Sequence, residues 1–202
     1  KGVNILSDIN LGMVSGNIYG LRGRNGSGKT MLMRALCGLI RPSSGIIHID
    51  SDILGKDISF PRSVGALIEN PAFLDDETGF RNLKNIASIK KIIGDAEIAE
   101  AIGKVGLDPA DKRKYRKYSL GMKQRLGIAC AIMESPDLLI LDEPTNALDE
   151  NGVELVRELL KEEKERGALI ILACHDKEEL DNLADIIYIM AEGRLNVEED
   201  KD

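Results

Sequence analysis

Residues 138–149 read L-L-I-L-D-E-P-T-N-A-L-D, from Leu138 to Asp149. The four apolar residues at its start suit a strand buried on both faces of a parallel sheet. Two adjacent acids follow, Asp142 and Glu143, and then Pro144, which stops the strand from continuing. Carboxylates in that position fall at the carboxyl edge of the sheet, where open α/β folds build their ligand crevices. One acid can hold a hydrated metal ion while its neighbour polarises a water. The competing reading is an ordinary core strand that ends in a charged turn.

Upstream, Gly23-Arg24-Asn25-Gly26-Ser27-Gly28-Lys29-Thr30 matches G-x-x-x-x-G-K-[ST] in full. The apolar run Ile18 to Leu21 precedes it and a helical pattern from Met31 to Ile40 follows, which is the strand–loop–helix setting the motif requires. Gly23, Gly26 and Gly28 let the backbone bend so that successive N–H groups face inward as an anion nest. The helix N-terminus adds its dipole. Lys29 then reaches the β- and γ-phosphates of a nucleoside triphosphate, and the Thr30 hydroxyl can ligate Mg²⁺. A glycine-rich turn with an incidental lysine would explain neither the strand before it nor the helix after it.

At 202 residues the chain forms one domain with a sizeable core, or one domain with a modest insertion. Charged residues make up 30% and hydrophobic residues 43%, the balance of a globular protein. No apolar run approaches the ~18 residues that span a bilayer, so a membrane role must come through a partner. A net charge of −7 argues against general nucleic-acid binding, and no nucleic-acid partner is expected. Cys37, Cys130 and Cys174 lie in apolar contexts without metal-ligand spacing and read as small buried residues in a reducing compartment. The chain opens at Lys1 rather than Met and shows no signal-peptide pattern, the character of an excised or trimmed domain.

Between these motifs the chain alternates. Residues 3–22 carry short apolar segments and a Ser15-Gly16-Asn17 turn, which predicts a small antiparallel hairpin ahead of the main sheet. Residues 46–50 read as a strand with His48 facing outward as a surface residue, and Ser63 to Ile68 as another. From Asp75 to Tyr118 the pattern is helical, with helices over 80–92 and 95–106 separated by Gly94. Within it, residues 112–117 form the densest basic cluster, read as a solvated face with an electrostatic role left open. Ser119 is a suitable N-cap for a helix to Met133. A helix over 151–166, a strand over 168–173, a short helix and a strand over 186–190 follow, and the acidic tail from Glu192 carries no further signal.

Ahead of the acidic strand, Tyr118-Ser119-Leu120-Gly121-Met122-Lys123-Gln124-Arg125 resembles the signature motif of ATP-binding cassette (ABC) ATPases. With the phosphate loop, the D-E-P strand end, the A-L-D loop and His175, the family's motifs appear in order across almost the whole chain. S-L-G-M-K-Q-R-L-G-I-A and A-L-I-E-N-P-A-F resemble the cassettes of bacterial drug- and bacteriocin-type ABC-2 exporters, including bacitracin and lantibiotic resistance systems.

The resemblance implies an α/β P-loop NTPase with a mostly parallel central sheet, a small antiparallel β part and a helical subdomain over 75–134, all within one cassette covering 1–202. It implies a subunit that binds and hydrolyses ATP with Mg²⁺ and powers a separate transmembrane permease from the cytoplasmic face of the membrane. Asp142 would support Mg²⁺ through a coordinated water, Glu143 would be the general base, and His175 would contact the γ-phosphate. A second, identical cassette would bind head to tail. Ser119 and Gly121 would then touch the partner cassette's ATP, and Asp149 would lie in the loop linking the two sites.

Three departures stand out. Glu69 occupies the place of the usual glutamine after the second strand, where it can bind Mg²⁺ but adds a negative charge. Tyr118, Leu120 and Met122 replace the commonest signature residues. The aromatic that stacks on adenine, with its strand, would lie before Lys1, and Tyr19 reads as core. Two other function classes compete: a non-transport cassette acting on ribosomes or DNA, and a clamp that binds ATP but scarcely hydrolyses it. The acidic charge, the single cassette and the lack of a long coiled-coil insertion disfavour the first, and Glu143 and His175 disfavour the second.

Overall fold

A strand that is apolar at every position needs neighbours on both edges and cover on both faces. The computed structural model, which describes residues 4–174 and 177–197, supplies both. Its main sheet contains β1 (Ile18–Arg22), β4 (Val64–Leu67), β5 (Leu138–Asp142), β6 (Leu169–Ala173), β7 (Ile186–Ala191) and β8 (Arg194–Val197). The order is β4-β5-β6-β1-β7-β8, parallel throughout except for β8. A separate antiparallel pair joins β2 (His48–Ile49) to β3 (Asp52–Ile53). The expected mostly parallel sheet with a small antiparallel part and helices is therefore the architecture found.

All five residues of β5 are buried. Alternate side chains divide between two cores, as the two-residue period of a strand requires. Leu139 and Leu141 pack with Ile170 and Leu172 on one face, and Leu138 and Ile140 with Ile171, Tyr19 and Leu21 on the other. Helix α1 (Lys29–Leu36) covers the second face through Leu32 and Met33. The first face takes α5 (Glu150–Glu165) through Val156, Leu159 and Leu160, and α6 (Lys177–Leu183) through Leu180.

The same first core continues into the helices between β4 and β5. Leu83 of α2 (Gly79–Lys90), Ile98 and Ile102 of α3 (Asp95–Lys104), and Leu126 and Ile128 of α4 (Leu120–Ile132) belong to it. Side-chain caps start two of these helices: Thr78 accepts from Arg81 N at 3.2 Å, and Ser119 accepts from Met122 N at 3.2 Å. Each cap satisfies an N–H that the first turn leaves without a partner. The basic cluster is a solvated face, as expected, with part of its charge offset locally: Arg113 pairs with Asp111, while Lys114 and Arg116 both pair with Asp76.

Four expectations are corrected. No strand forms among the described residues before Ile18, because both edges of β1 are taken by β6 and β7 and none remains for a hairpin. The strand expected over 46–50 shrinks to two residues, turned at Asp50 (φ 53) into β3, and His48 is exposed on it. Helix α1 stops at Leu36 rather than Ile40, because Gly38 adopts φ 78 and its Cα lies close against the Ser59 carbonyl. The acidic tail is not featureless: Glu192 (φ 49) and Gly193 (φ 74) form a tight turn into β8. Two consecutive left-handed residues match the twist of a two-residue hairpin. None of the cysteines is in a disulfide, and burial pushes the Cys37 and Cys130 thiols up to about 11, with Glu134 adding to the effect on Cys130.

Strand β4 approaches α4 so closely that a Cβ on Gly65 would collide with the Ala131 carbonyl and lie 2.8 Å from Pro136 Cγ. Gly65→Ala should therefore cost about 1–3 kcal/mol by forcing strand and helix apart. Urea unfolding measures this directly, and an unchanged midpoint would contradict the packing.

Candidate nucleotide site

Because β1 and β5 run parallel with β6 between them, the loop after β1 and the acids after β5 emerge on one edge of the sheet. The loop over residues 23–28 then bends back on itself. Gly26 has φ 77 and Gly28 φ 113, conformations that L side chains rarely adopt. A Cβ on Gly23 would collide with Met190 O and lie 2.7 Å from Ser27 Oγ, so the loop is pressed against β7. Helix α1 begins after Gly28 with no side-chain cap and no acid in its first turn, which leaves its N–H groups and dipole for an external anion.

Lys29 is 7% exposed, and its ammonium donates to Gly23 O at 2.6 Å and to Arg24 O at 3.4 Å. The cation therefore lies folded along its own loop, within reach of anything the loop binds. The Ser27 hydroxyl is buried and has no hydrogen-bond partner among the described residues. Thr30 Oγ1 donates to Asp142 Oδ2 at 2.7 Å, joining the start of α1 to the end of β5. Glu143 follows with φ 52, its N–H bonded to Ala173 O at 2.8 Å.

These groups surround a cavity of about 480 Å³. Asn25, Gly26, Ser27, Gly28, Lys29, Thr30, Glu69, Asp142 and Glu143 all line it, so most of the residues singled out in the sequence converge. Gly23 and Arg24 stand behind the lining and offer carbonyls to Lys29. Glu69, at φ 64, pairs with Arg34 of α1 at 2.7 Å, so its added charge is partly offset within the chain. Ser119, Gly121 and Asp149 lie away from this cavity. Ser119 is exposed at the tip of α4, and a Cβ on Gly121 would sit 2.9 Å from Ala147 O. Asp149 caps α5 by accepting from Gly152 N at 3.0 Å and pairs with Arg125 at 2.7 Å. His175 lies outside the described residues.

The sequence reading missed Gln124, Asn146, Asn70 and Ile5, which also line the cavity. Gln124 had a signal: it shares the buried stripe of α4 with Ile128 and Ala131, where a polar side chain needs a partner. Among the described residues no cluster of three or more His, Cys, Asp and Glu side chains is arranged to hold a metal. The oxygen pair of Thr30 and Asp142 nevertheless suits Mg²⁺, which keeps several waters and is bound through one or two protein oxygens plus substrate phosphates.

A family model described as ABC transporter matches residues 6–146. The chain belongs to the ABC transporter family. Membership makes it an ATP-binding, ATP-hydrolysing cassette, of a kind that works with membrane permeases. This cassette is 52% identical over 199 residues to the ABC transporter ATP-binding protein YybJ of Bacillus subtilis, covering 98% of its own length and 91% of YybJ. It is 41% identical to the bacitracin transport ATP-binding protein BcrA of Enterococcus faecalis, covering 95% of itself but 63% of BcrA. With the lantibiotic transport ATP-binding protein SrtF of Streptococcus pyogenes the identity is 38%, over 98% of the cassette and 85% of SrtF. A solved ATP-binding subunit of an ABC transporter superposes with a TM-score of 0.86 at 27% identity, over 96% of the cassette and 84% of that chain. A cassette solved as a dimer with ADP and phosphate gives 0.86 at 23% identity, over 98% and 90%, a likeness of fold. No helix among the described residues is long and apolar enough to cross a membrane.

The Asp149 cap separates two contributions cleanly. Asp149→Ala should lower stability by about 1 kcal/mol through loss of the N-cap, whereas Asp149→Asn keeps the cap and should stay within about 0.5 kcal/mol, since an exposed ion pair contributes little. Chemical denaturation of both variants distinguishes them, and equal losses would assign the stability to the Arg125 pair instead.

Proposed function

We propose that this cassette binds Mg²⁺–ATP in the cavity between the phosphate loop and the β5 acids, and hydrolyses it to drive a separate permease that exports a drug, peptide or bacteriocin. The observation that carries the site is the Thr30–Asp142 hydrogen bond, which puts the loop and the acid pair on one cavity. The export reading is supported by relatives named for bacitracin and lantibiotic transport. On this reading the cassette sits on the cytoplasmic face of the membrane through its permease.

Charge favours nucleotide arriving with a metal. The lining carries Glu69, Asp142 and Glu143 against the single ammonium of Lys29, an unfavourable balance for a bare triphosphate. Thr30 and Asp142 would hold Mg²⁺, which would supply charge neutralisation for the phosphates. The loop N–H groups of residues 25–30 and the α1 dipole hold the phosphates, and Lys29 swings from its loop carbonyls to the β- and γ-phosphates. Glu143 accepts a proton from the attacking water as the water oxygen bonds to the γ-phosphorus and the bond from that phosphorus to the β–γ bridging oxygen breaks, leaving ADP and phosphate. The role of His175, contact with the γ-phosphate, rests on the family resemblance.

Ser119 at the exposed tip of α4 has the geometry of a contact offered outward. In a head-to-tail homodimer, Ser119 and Gly121 would meet the partner cassette's γ-phosphate and Asp149 would border both sites. Residues 75–134 would move as a helical subdomain when the dimer closes.

Glu143→Gln should leave ATP binding nearly unchanged and cut hydrolysis by about 10²-fold or more. Normal hydrolysis in that variant would remove Glu143 from the base role. Glu69 is tested by charge: Glu69→Gln should bind metal-free ATP more tightly than the parent, while Mg²⁺–ATP affinity changes little. Parallel titration curves for the two proteins, shifted equally by the metal, would leave Glu69 no part in the site.

A further inference from the structure

Gln124 is a polar side chain that the mechanism above leaves unused. It is 7% exposed, one turn into α4, and it lines the cavity. Its amide nitrogen donates to Glu143 O at 2.9 Å and to Pro144 O at 3.2 Å. A carboxamide has two N–H donors, and both are engaged by the backbone that follows β5.

That backbone needs holding. Glu143 has φ 52, a left-handed conformation that costs an L residue with a long side chain about 1–2 kcal/mol. Pro144 has no N–H with which to anchor the turn. On one side Glu143 N donates to Ala173 O of β6 at 2.8 Å. On the other, its carbonyl and the next one receive the Gln124 amide. The peptide units flanking the Glu143 Cα are thus fixed from both sides, and they set the direction of its side chain. Without the amide, Glu143 O would keep the Asn146 N–H at 3.2 Å, but the buried Pro144 O would lose this donor and with it part of the hold on the turn.

We infer that Gln124 is a positioning residue for hydrolysis: by clamping the carbonyls of Glu143 and Pro144 from α4, it holds the Glu143 carboxylate at the angle and depth from which it takes the proton of the attacking water. The inference rests on Glu143 being the base. It also gives α4, which carries Ser119 and Gly121 at its N-terminal end, a direct mechanical hold on the acid strand of its own cassette.

Gln124→Met keeps the length and volume of the side chain and removes both donors. In single-turnover and steady-state assays with Mg²⁺–ATP, kcat should fall roughly ten- to a hundred-fold while KM stays within about twofold, because misplacing the base leaves phosphate binding intact. The deciding measurement is the double variant. Added to Glu143→Gln, Gln124→Met should reduce the residual rate no further, since it acts only through the missing carboxylate. Should Gln124→Met fail to fold, Gln124→Asn keeps the amide on an arm one methylene shorter, and the same measurements apply to it. An unchanged kcat in a folded variant, a KM that rises in step with the loss of kcat, or losses that multiply in the double variant would each overturn the inference. Normal hydrolysis by Glu143→Gln alone would instead overturn the base assignment, and the inference with it.

Discussion

The hydrogen bond from Thr30 to Asp142 joins two parts of the chain 112 residues apart, and the cavity exists because both parts reach it. Neither could do so alone. Thr30 is carried by the helix after β1, Asp142 ends β5, and β6 separates the two strands while holding each in parallel register. A hydrogen bond to a buried carboxylate contributes about 1.5–3 kcal/mol, and losing it would leave Asp142 facing its neighbours without that donor. The same pair of oxygens suits a small hard cation that fills its remaining positions with water and phosphate. One contact thus ties the stability of the sheet edge to the chemistry proposed for it.

The phosphate loop depends on a second, less obvious support. Gly193 N donates to Ser27 O at 3.0 Å, and Ser7 N donates to Gly193 O at 2.8 Å. The turn between β7 and β8 therefore buttresses the loop from behind, with the Met190 carbonyl pressed against Gly23. A glycine at position 23 is needed for this approach, apart from any contact with phosphate. The shape of the anion nest is set as much by the last hairpin of the sheet as by the glycines of the motif.

What could be read in the sequence follows from where the determining forces lie. The phosphate loop, the buried β5 strand and the Ser119 cap depend on residues within a few positions of one another, and each was legible. The convergence of residues 25–30 with Asp142 and Glu143 follows from strands that run parallel and end on one edge, whereas the place of Glu69 came from the family resemblance. Hairpin β7–β8 was not legible from an acidic tail, although Glu192-Gly193 is a turn pair in hindsight, because β8 is a short edge strand paired to β7 alone. The hairpin expected before Ile18 fails for a non-local reason, the occupation of both edges of β1. Gln124 was overlooked because its partners are backbone carbonyls of a distant loop, which no spacing rule reveals.

The central claim is that the loop, the acids and Lys29 form one site for Mg²⁺–ATP, and Lys29 tests it most directly. Its ammonium supplies a charge that water cannot readily replace in a semi-closed cavity. Isothermal titration of Lys29→Ala with Mg²⁺–ATP, with thermal unfolding as a check on the fold, should show affinity lost by about tenfold or more and no turnover in a protein that melts as the parent does. Near-normal affinity in a folded Lys29→Ala would contradict the account.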